Sequence, residues 1–180
     1  AATEANELLD KFSKNGENFF LAVGLYRPHT PYVAPKKYFD LYDATDFTVP
    51  QSTDGYLNTI PEPAAISVRR KKEQVAIDPD LAKEIKRAYY ATTSFMDAQI
   101  GRVLDKLKAT GLDKNTIVVF TSDHGYHLGD HGHWQKQTLF EDATRVPLII
   151  SGPGVTTTNE VVKAPVELVD LYPTIMDVAD

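Results

Sequence analysis

The sequence predicts an α/β layered domain, in which a sheet is covered by helices. Three short apolar runs read as buried strands, at residues 18–26, 116–121 and 146–150. A long amphipathic helical pattern lies between the first run and the second. The chain has 180 residues, which is about the length of one domain.

The first run reads NFFLAVGLY and is continuously apolar, as is typical of a strand buried on both faces of a parallel sheet. It ends at Arg27 and Pro28, where proline stops the hydrogen-bond ladder. Residues 27–63 contain six prolines and little periodicity, which predicts a long loop with one turn of helix at residues 36–41.

A helix of about thirty residues is predicted next. Asp78 is the expected N-cap, Pro79 lies in the first turn where its missing N–H costs nothing, and Gly111 is the expected C-cap. Asp97 follows an apolar position near the inner edge of this helix, so we expect a buried, hydrogen-bonded carboxylate there.

The two ends of the chain both read as helical. Residues 1–11 form a polar helical pattern without the charged flank and apolar stretch of a secretory signal. Residues 166–180 carry apolar side chains at helical spacing and stop without a Gly or Asn cap. These ends predict a piece of a longer chain.

Composition excludes several classes of protein. The net charge of −6 does not suit a binder of phosphate backbones, so we expect no nucleic-acid partner. No run approaches the roughly 20 apolar residues of a membrane-spanning helix, so we expect a soluble protein without a membrane span. The absence of cysteine excludes a disulfide framework, a thiolate zinc site and a cysteine nucleophile within this chain.

Chemistry-bearing residues are concentrated at the end of the second strand run. Residues 122–136 read SDHGYHLGDHGHWQK and hold four of the five histidines. Any one of these could be an ordinary exposed loop histidine. Asp123 and His124 together, leaving a buried strand with Gly125 allowing a tight turn, offer an oxygen and a nitrogen to one cation. Two ligands cannot close a site, and histidine favours zinc, manganese or iron, so coordination chemistry leaves the metal open.

Four ordered motifs resemble those of a known family. They are RPHTPY at residues 27–32, SFMDAQIGR at 94–102, FTSDHG at 120–125, and LGDHG at 128–132 with Trp134 and Lys136. Together they resemble the type I sulfatases of the alkaline phosphatase superfamily, and the iduronate-2-sulfatase-like branch in particular. The resemblance runs from about residue 19 to the C-terminus and weakens between residues 49 and 77.

The resemblance implies a fold and a set of site residues. The fold would be an alkaline-phosphatase-like layered domain with a mainly parallel sheet, present here as a fragment. Residues 1–180 would form part of the catalytic domain, with 49–77 as a variable loop insertion. Asp123 and His124 would bind calcium, Lys136 would contact the sulfate and its bridging oxygen, and His29 would protonate the leaving alcohol. The resemblance further implies that His131 and Trp134 support Lys136.

Two family features are absent from this chain. The family's nucleophile is a formylglycine made from a Cys/Ser-x-Pro-Ser-Arg motif, and an Asp-Asp pair ends its first strand. We therefore expect the middle and later part of a sulfatase domain, inactive alone and completed by the rest of the parent chain.

The expected activity of the parent is hydrolysis of a sulfate ester, on a sulfated carbohydrate or other sulfated small molecule. Two alternatives stay open at this point, a metal-dependent phosphoesterase of the same superfamily and a catalytically silent binding module. From the resemblance alone, the expected compartment is the periplasm, the extracellular space or the lysosome.

Overall fold

A computed structural model describes residues 1–70, 72–74, 77–155 and 159–179. Its helices are α1 (Ala2–Asn15), α2 (Lys36–Phe39), α3 (Glu62–Arg69), α4 (Pro79–Ala109), α5 (Glu141–Thr144) and α6 (Leu171–Ala179). Its strands are β1 (Val118–Thr121) and β2 (Leu148–Ser151). Short 3₁₀ turns lie at Ala44–Asp46, Tyr56–Asn58, Lys72–Gln74, Leu112–Asn115, Asp130–Gly132 and Leu168–Asp170.

Helix α4 is the longest element and follows the predicted boundaries. The Asp78 carboxylate accepts hydrogen bonds from the backbone N–H groups of Asp80 and Leu81, both at 3.0 Å. These bonds satisfy amides that would otherwise lack a partner in the first turn. The helix ends at Ala109, and Gly111 takes a left-handed conformation with φ 74°. Asp97 is exposed, so the expectation of a buried carboxylate is wrong.

Helix α1 packs along α4. Leu9 is 1% exposed and contributes the apolar centre of this contact. At its edge, the Lys106 ammonium lies 3.0 Å from the Asp10 carboxylate. The Asn6 side chain donates to the backbone carbonyl of Arg102 at 3.4 Å. The N-terminal helical pattern is therefore confirmed as an amphipathic helix bound to the main helix.

Strands β1 and β2 form an antiparallel pair, in which Val118 faces Ser151 and Thr121 faces Leu148. The parallel pairing expected of a mainly parallel sheet does not occur between these two strands. Ile149 remains 58% exposed, so one face of β2 is open within the described part of the chain. The run at 146–150 is thus not covered on both faces by the residues described.

The strand predicted at residues 18–26 is not observed. Half-buried and exposed residues alternate along it, and Phe20 is 81% exposed. A strand requires a neighbour that supplies ladder hydrogen bonds, and no described residue pairs with this run. The run is held instead by side chains: Phe12 stacks on Phe19 at 4.7 Å, and residues 25–27 border a cavity of about 240 Å³ against α4.

The proline-rich segment contains more structure than the sequence indicated. Helix α2 matches the predicted single turn, whereas α3 begins inside the predicted loop and buries Ala65 and Val68. Pro63 in its first turn is a recognisable helix-start signal. Among the helices of the described ranges, none has both the length and the apolar character that crossing a membrane requires.

Candidate active site

Asp123 and His124 leave the carboxyl end of β1 side by side. The His124 Nε2 lies 3.5 Å from an Asp123 carboxylate oxygen, Oδ2. The other ring nitrogen, Nδ1, lies 2.8 Å from the backbone carbonyl of Gly125. Because a carbonyl only accepts, Nδ1 is the nitrogen that donates to it, and Nε2 is the ring nitrogen on the side of Asp123.

This arrangement fits part of a cation site. A carboxylate oxygen and a deprotonated imidazole nitrogen on the same side of a turn are two suitable ligands, and the carbonyl bond to Nδ1 is the usual way in which a ligating histidine is oriented. Asp123 is exposed and therefore accessible to a cation. Within the described residues, no group of three or more His, Cys, Asp or Glu side chains is arranged to hold a metal.

Gly125 makes this turn possible through a close backbone approach. A Cβ at this position would lie 2.1 Å from the carbonyl oxygen of Asp142. The Gly125 N–H donates to the Ala143 carbonyl at 2.8 Å, which holds the turn against α5. Gly125 is required because a side chain there would collide with the backbone of Asp142.

Three tyrosines join the separate segments of the site. The Tyr32 hydroxyl donates to the Tyr126 hydroxyl at 2.8 Å, and Tyr89 of α4 stacks on Tyr126 with ring centroids 5.4 Å apart. Tyr32 and Tyr89 meet edge to face at 5.9 Å. Burial raises the pKa of all three phenols, so the hydroxyls stay protonated and able to donate at neutral pH.

Hydrogen bonds between near neighbours in the sequence hold the segment that carries His29. The Arg27 guanidinium donates to the carbonyls of His29 and Val33, both at 3.0 Å, and Tyr26 donates to the Thr30 carbonyl at 2.8 Å. The same Thr30 carbonyl lies 2.7 Å from His29 Nδ1. That nitrogen is therefore protonated, and Nε2 is the ring atom left to exchange a proton with a ligand.

The loop that carries Lys136 folds back on itself. Backbone N–H groups of His127 and Gly129 donate to the carbonyls of Gln135 and His133, each at 2.9 Å. These bonds bring the residues around Lys136 next to the turn that follows Tyr126. Trp134 is 7% exposed and fills the inside of the loop.

His29 and Lys136 line one cleft. Its volume is about 100 Å³, and its other lining residues are Thr30, Tyr126 and Gln135. The structure therefore brings together the two residues that the sequence proposed for catalysis. Asp123 and His124 are outside the lining of this cleft, and Tyr126, two residues after His124 in the sequence, is part of it.

The predicted supporting residues, His131 and Trp134, are outside the lining of this cleft. His131 bonds to the Tyr56 hydroxyl through Nδ1 and stacks on Phe140 at 4.0 Å. Trp134 packs close to Gly129, whose surroundings also include Val49 and Pro50. Both residues are thus held by the segment that begins at residue 49.

Sequence reasoning missed the tyrosine cluster and the contribution of Tyr56. Tyr89 lies in the amphipathic pattern of α4, and its spacing gives no sign of contact with distant loops. A signal was available in the other two tyrosines, because Tyr32 ends the motif at residues 27–32 and Tyr126 directly follows the motif at residues 120–125.

The sulfatase family model matches residues 2–180 of the chain. A sulfatase of Formosa agariphila is 40% identical over 179 residues, which cover 97% of this chain and 35% of that protein. Iduronate 2-sulfatase of Mus musculus is 37% identical over 166 residues, covering 85% of this chain and 30% of the mouse protein. The chain thus spans about a third of the length of these curated relatives.

Solved structures share the fold. A phosphonate monoester hydrolase from Silicibacter pomeroyi matches with a TM-score of 0.80 and 33% identity, over 97% of this chain and 37% of that chain. The corresponding enzyme of Agrobacterium radiobacter matches with a TM-score of 0.71 and 25% identity, over 83% of this chain and 32% of the other. These matches confirm the alkaline-phosphatase-like α/β class.

Replacing Gly125 by alanine tests the close approach of the turn after His124 to the backbone of Asp142. In the full-length protein, Gly125→Ala should lower the free energy of unfolding by about 1–3 kcal/mol, since the Asp142 backbone must move away from the new methyl group. Gly101→Ala is the matched control, because nothing lies near its Cβ position within α4, and it should be neutral or stabilising by up to about 1 kcal/mol. Urea denaturation measures both, and equal stability of the two variants would contradict this explanation of Gly125.

Proposed function

The chain belongs to the sulfatase family, and we propose that the full-length protein hydrolyses a sulfate ester at the cleft between His29 and Lys136. The observation that carries this proposal is the convergence of two distant motif residues on one small cleft. A volume of about 100 Å³ is below the roughly 300–1,000 Å³ of pockets that enclose whole drug-sized ligands. It suits a single small group such as a sulfate, with the rest of the substrate outside.

The two side chains supply complementary chemistry. Cleavage of a sulfate ester develops negative charge on the sulfate oxygens and on the departing bridging oxygen. The Lys136 ammonium would stabilise that charge, and His29 would donate a proton from Nε2 to the leaving alkoxide. The Thr30 carbonyl bonded to Nδ1 supports this role, because it orients the ring and leaves Nε2 for the proton transfer.

We assign Asp123 and His124 to a divalent cation, which we propose to be calcium. When bound, such a cation supplies positive charge that attracts and polarises a sulfate oxygen. The Asp123 carboxylate and the His124 Nε2 would hold it, and further ligands would come from the rest of the parent protein. The nucleophile would be a formylglycine, also outside the 180 residues of this chain.

A sulfated saccharide is the proposed substrate class. This proposal is supported by the similarity to a protein named iduronate 2-sulfatase. We also propose that this chain belongs to the branch of the family that contains that enzyme. Residues 31–77 include Tyr32 and other neighbours of the cleft residues in sequence, and we propose that they contact the part of the saccharide outside the cleft, with residues 49–77 as an insertion that varies between relatives and contains α3. The proposed compartment is the periplasm, the extracellular space or the lysosome, on the strength of the same likeness.

A second candidate function has its own support. The phosphonate monoester hydrolase of Silicibacter pomeroyi shares 33% identity with this chain, and phosphonate or phosphate monoesters carry a similar tetrahedral anion. Lysine and a cation would stabilise either charge, so the residues described here are compatible with both substrates.

Removing His29 or Lys136 tests the catalytic assignment. In the full-length protein, His29→Ala and Lys136→Ala should each lower kcat/KM for a sulfated monosaccharide, whose leaving group is an alkoxide, by about 10²- to 10⁴-fold, since acid catalysis and charge stabilisation are lost. Lys114→Ala, at an exposed lysine before β1, is the control and should retain activity. Near wild-type rates in both site variants would overturn the assignment. Parallel assays with 4-nitrophenyl phosphate and phosphonate monoesters would reveal the second candidate function by a higher kcat/KM.

Calcium binding tests the metal assignment separately. Titration calorimetry of the metal-free full-length protein should show one calcium site, and Asp123→Ala should weaken its affinity by at least about 10-fold. Asp113→Ala removes another exposed carboxylate close to β1 and should leave the affinity unchanged. Unchanged binding by the Asp123 variant would contradict the ligand role, and preferential binding of zinc or manganese would contradict the choice of calcium.

A further inference from the structure

His127 is a fully buried histidine that the proposed reaction does not use. It is 0% exposed, although it lies in the same loop as Lys136. Its backbone N–H donates to the carbonyl of Gln135 at 2.9 Å, and its ring Nε2 lies 2.8 Å from the hydroxyl of Thr138. One residue therefore holds the chain on both sides of Lys136.

The proton positions in this contact follow from its partners. The Asp142 carboxylate faces the His127 Nδ1 at 3.6 Å and, as an anion, favours the ring proton on that nitrogen. Nε2 then accepts from the Thr138 hydroxyl, whose oxygen also accepts from the Phe140 N–H at 3.4 Å. Burial lowers the pKa of His127 more than the Asp142 charge raises it, so the ring is neutral at neutral pH.

A tight turn follows Lys136 directly. The Thr138 N–H donates to the Lys136 carbonyl at 2.7 Å, so the residue whose hydroxyl binds His127 also binds the backbone of Lys136. The chain from Gln135 to Thr138 is thus tied to His127 at both ends, through the backbone N–H of His127 at Gln135 and through its ring at Thr138. Nε2 bonds to Thr138, whereas Nδ1 is buried without a hydrogen bond among the described residues, a cost that an apolar residue in the same space would avoid.

We propose that His127 and Thr138 form a positioning pair that fixes the backbone around Lys136 and so directs its ammonium group into the cleft. This inference rests on the proposed function of Lys136. His127 and Thr138 are outside the lining of the cleft, so they act through Lys136. A charged group displaced by about 1 Å from its working position can cost about 100-fold in rate.

Thr138→Val removes the hydroxyl and keeps the shape of the side chain, which makes it the decisive variant. In the full-length protein we expect kcat for 4-nitrophenyl sulfate to fall by about 10- to 100-fold with little change in KM. Thr138→Ser keeps the hydroxyl and should restore kcat to near the wild-type value. Thr144→Val is the matched control. Thr144 belongs to α5, and its hydroxyl donates to the carbonyl of Phe140 rather than to His127, so this variant should leave kcat unchanged.

Hydrogen exchange gives a second readout that needs no activity. The backbone amides of residues 127–138 should exchange faster in Thr138→Val than in the wild type or in Thr138→Ser. If the wild-type protein has no sulfatase activity, the proposed function is wrong. The hydrogen-exchange rates would still test the contact between His127 and Thr138. Unchanged exchange in the valine variant, an unchanged kcat, or a serine variant as impaired as the valine variant would each overturn the positioning pair.

Discussion

The contact among Tyr32, Tyr89 and Tyr126 is the constraint on which the candidate site depends. Tyr32 follows the His29 segment, Tyr89 belongs to α4, and Tyr126 precedes the Lys136 loop. Aromatic pairs of this kind contribute about 0.5–1.5 kcal/mol each beyond burial, and the hydroxyl bond adds about 1 kcal/mol. Residues 27–35 form a loop whose backbone hydrogen bonds are made with near neighbours in the sequence, without strand pairing. The modest energies of the tyrosine contacts therefore attach this loop where backbone pairing does not.

Two further contacts, made by Gly125 and His127, hold the segments that the tyrosines bring together. Gly125 lets the turn after His124 approach the backbone of α5, while His127 holds the loop around Lys136. Both meet at Asp142, whose carbonyl faces Gly125 and whose carboxylate faces His127. The turn that follows Asp123 and His124 and the loop that carries Lys136 therefore share one supporting segment.

Local signals in the sequence predicted the parts of the structure that depend on neighbours along the chain. The caps of α4 and the strand run at 116–121 are of this kind, and the motif residues His29 and Lys136 were identified by a family resemblance. What failed depends on distant partners. The run at 18–26 lacks a pairing strand among the described residues, and β1 with β2 is antiparallel. The tyrosine contact was missed because a tyrosine at helical spacing looks the same whether it faces a core or a loop.

The central claim is that His29 and Lys136 face one anion across the cleft that Tyr126 also lines. A crystal structure of the full-length protein with inorganic sulfate tests it most directly. We expect the sulfate between His29 Nε2 and Lys136 Nζ, with both nitrogens within about 3.2 Å of its oxygens. A sulfate bound elsewhere, or a structure in which the two side chains point into separate sites, would contradict the account.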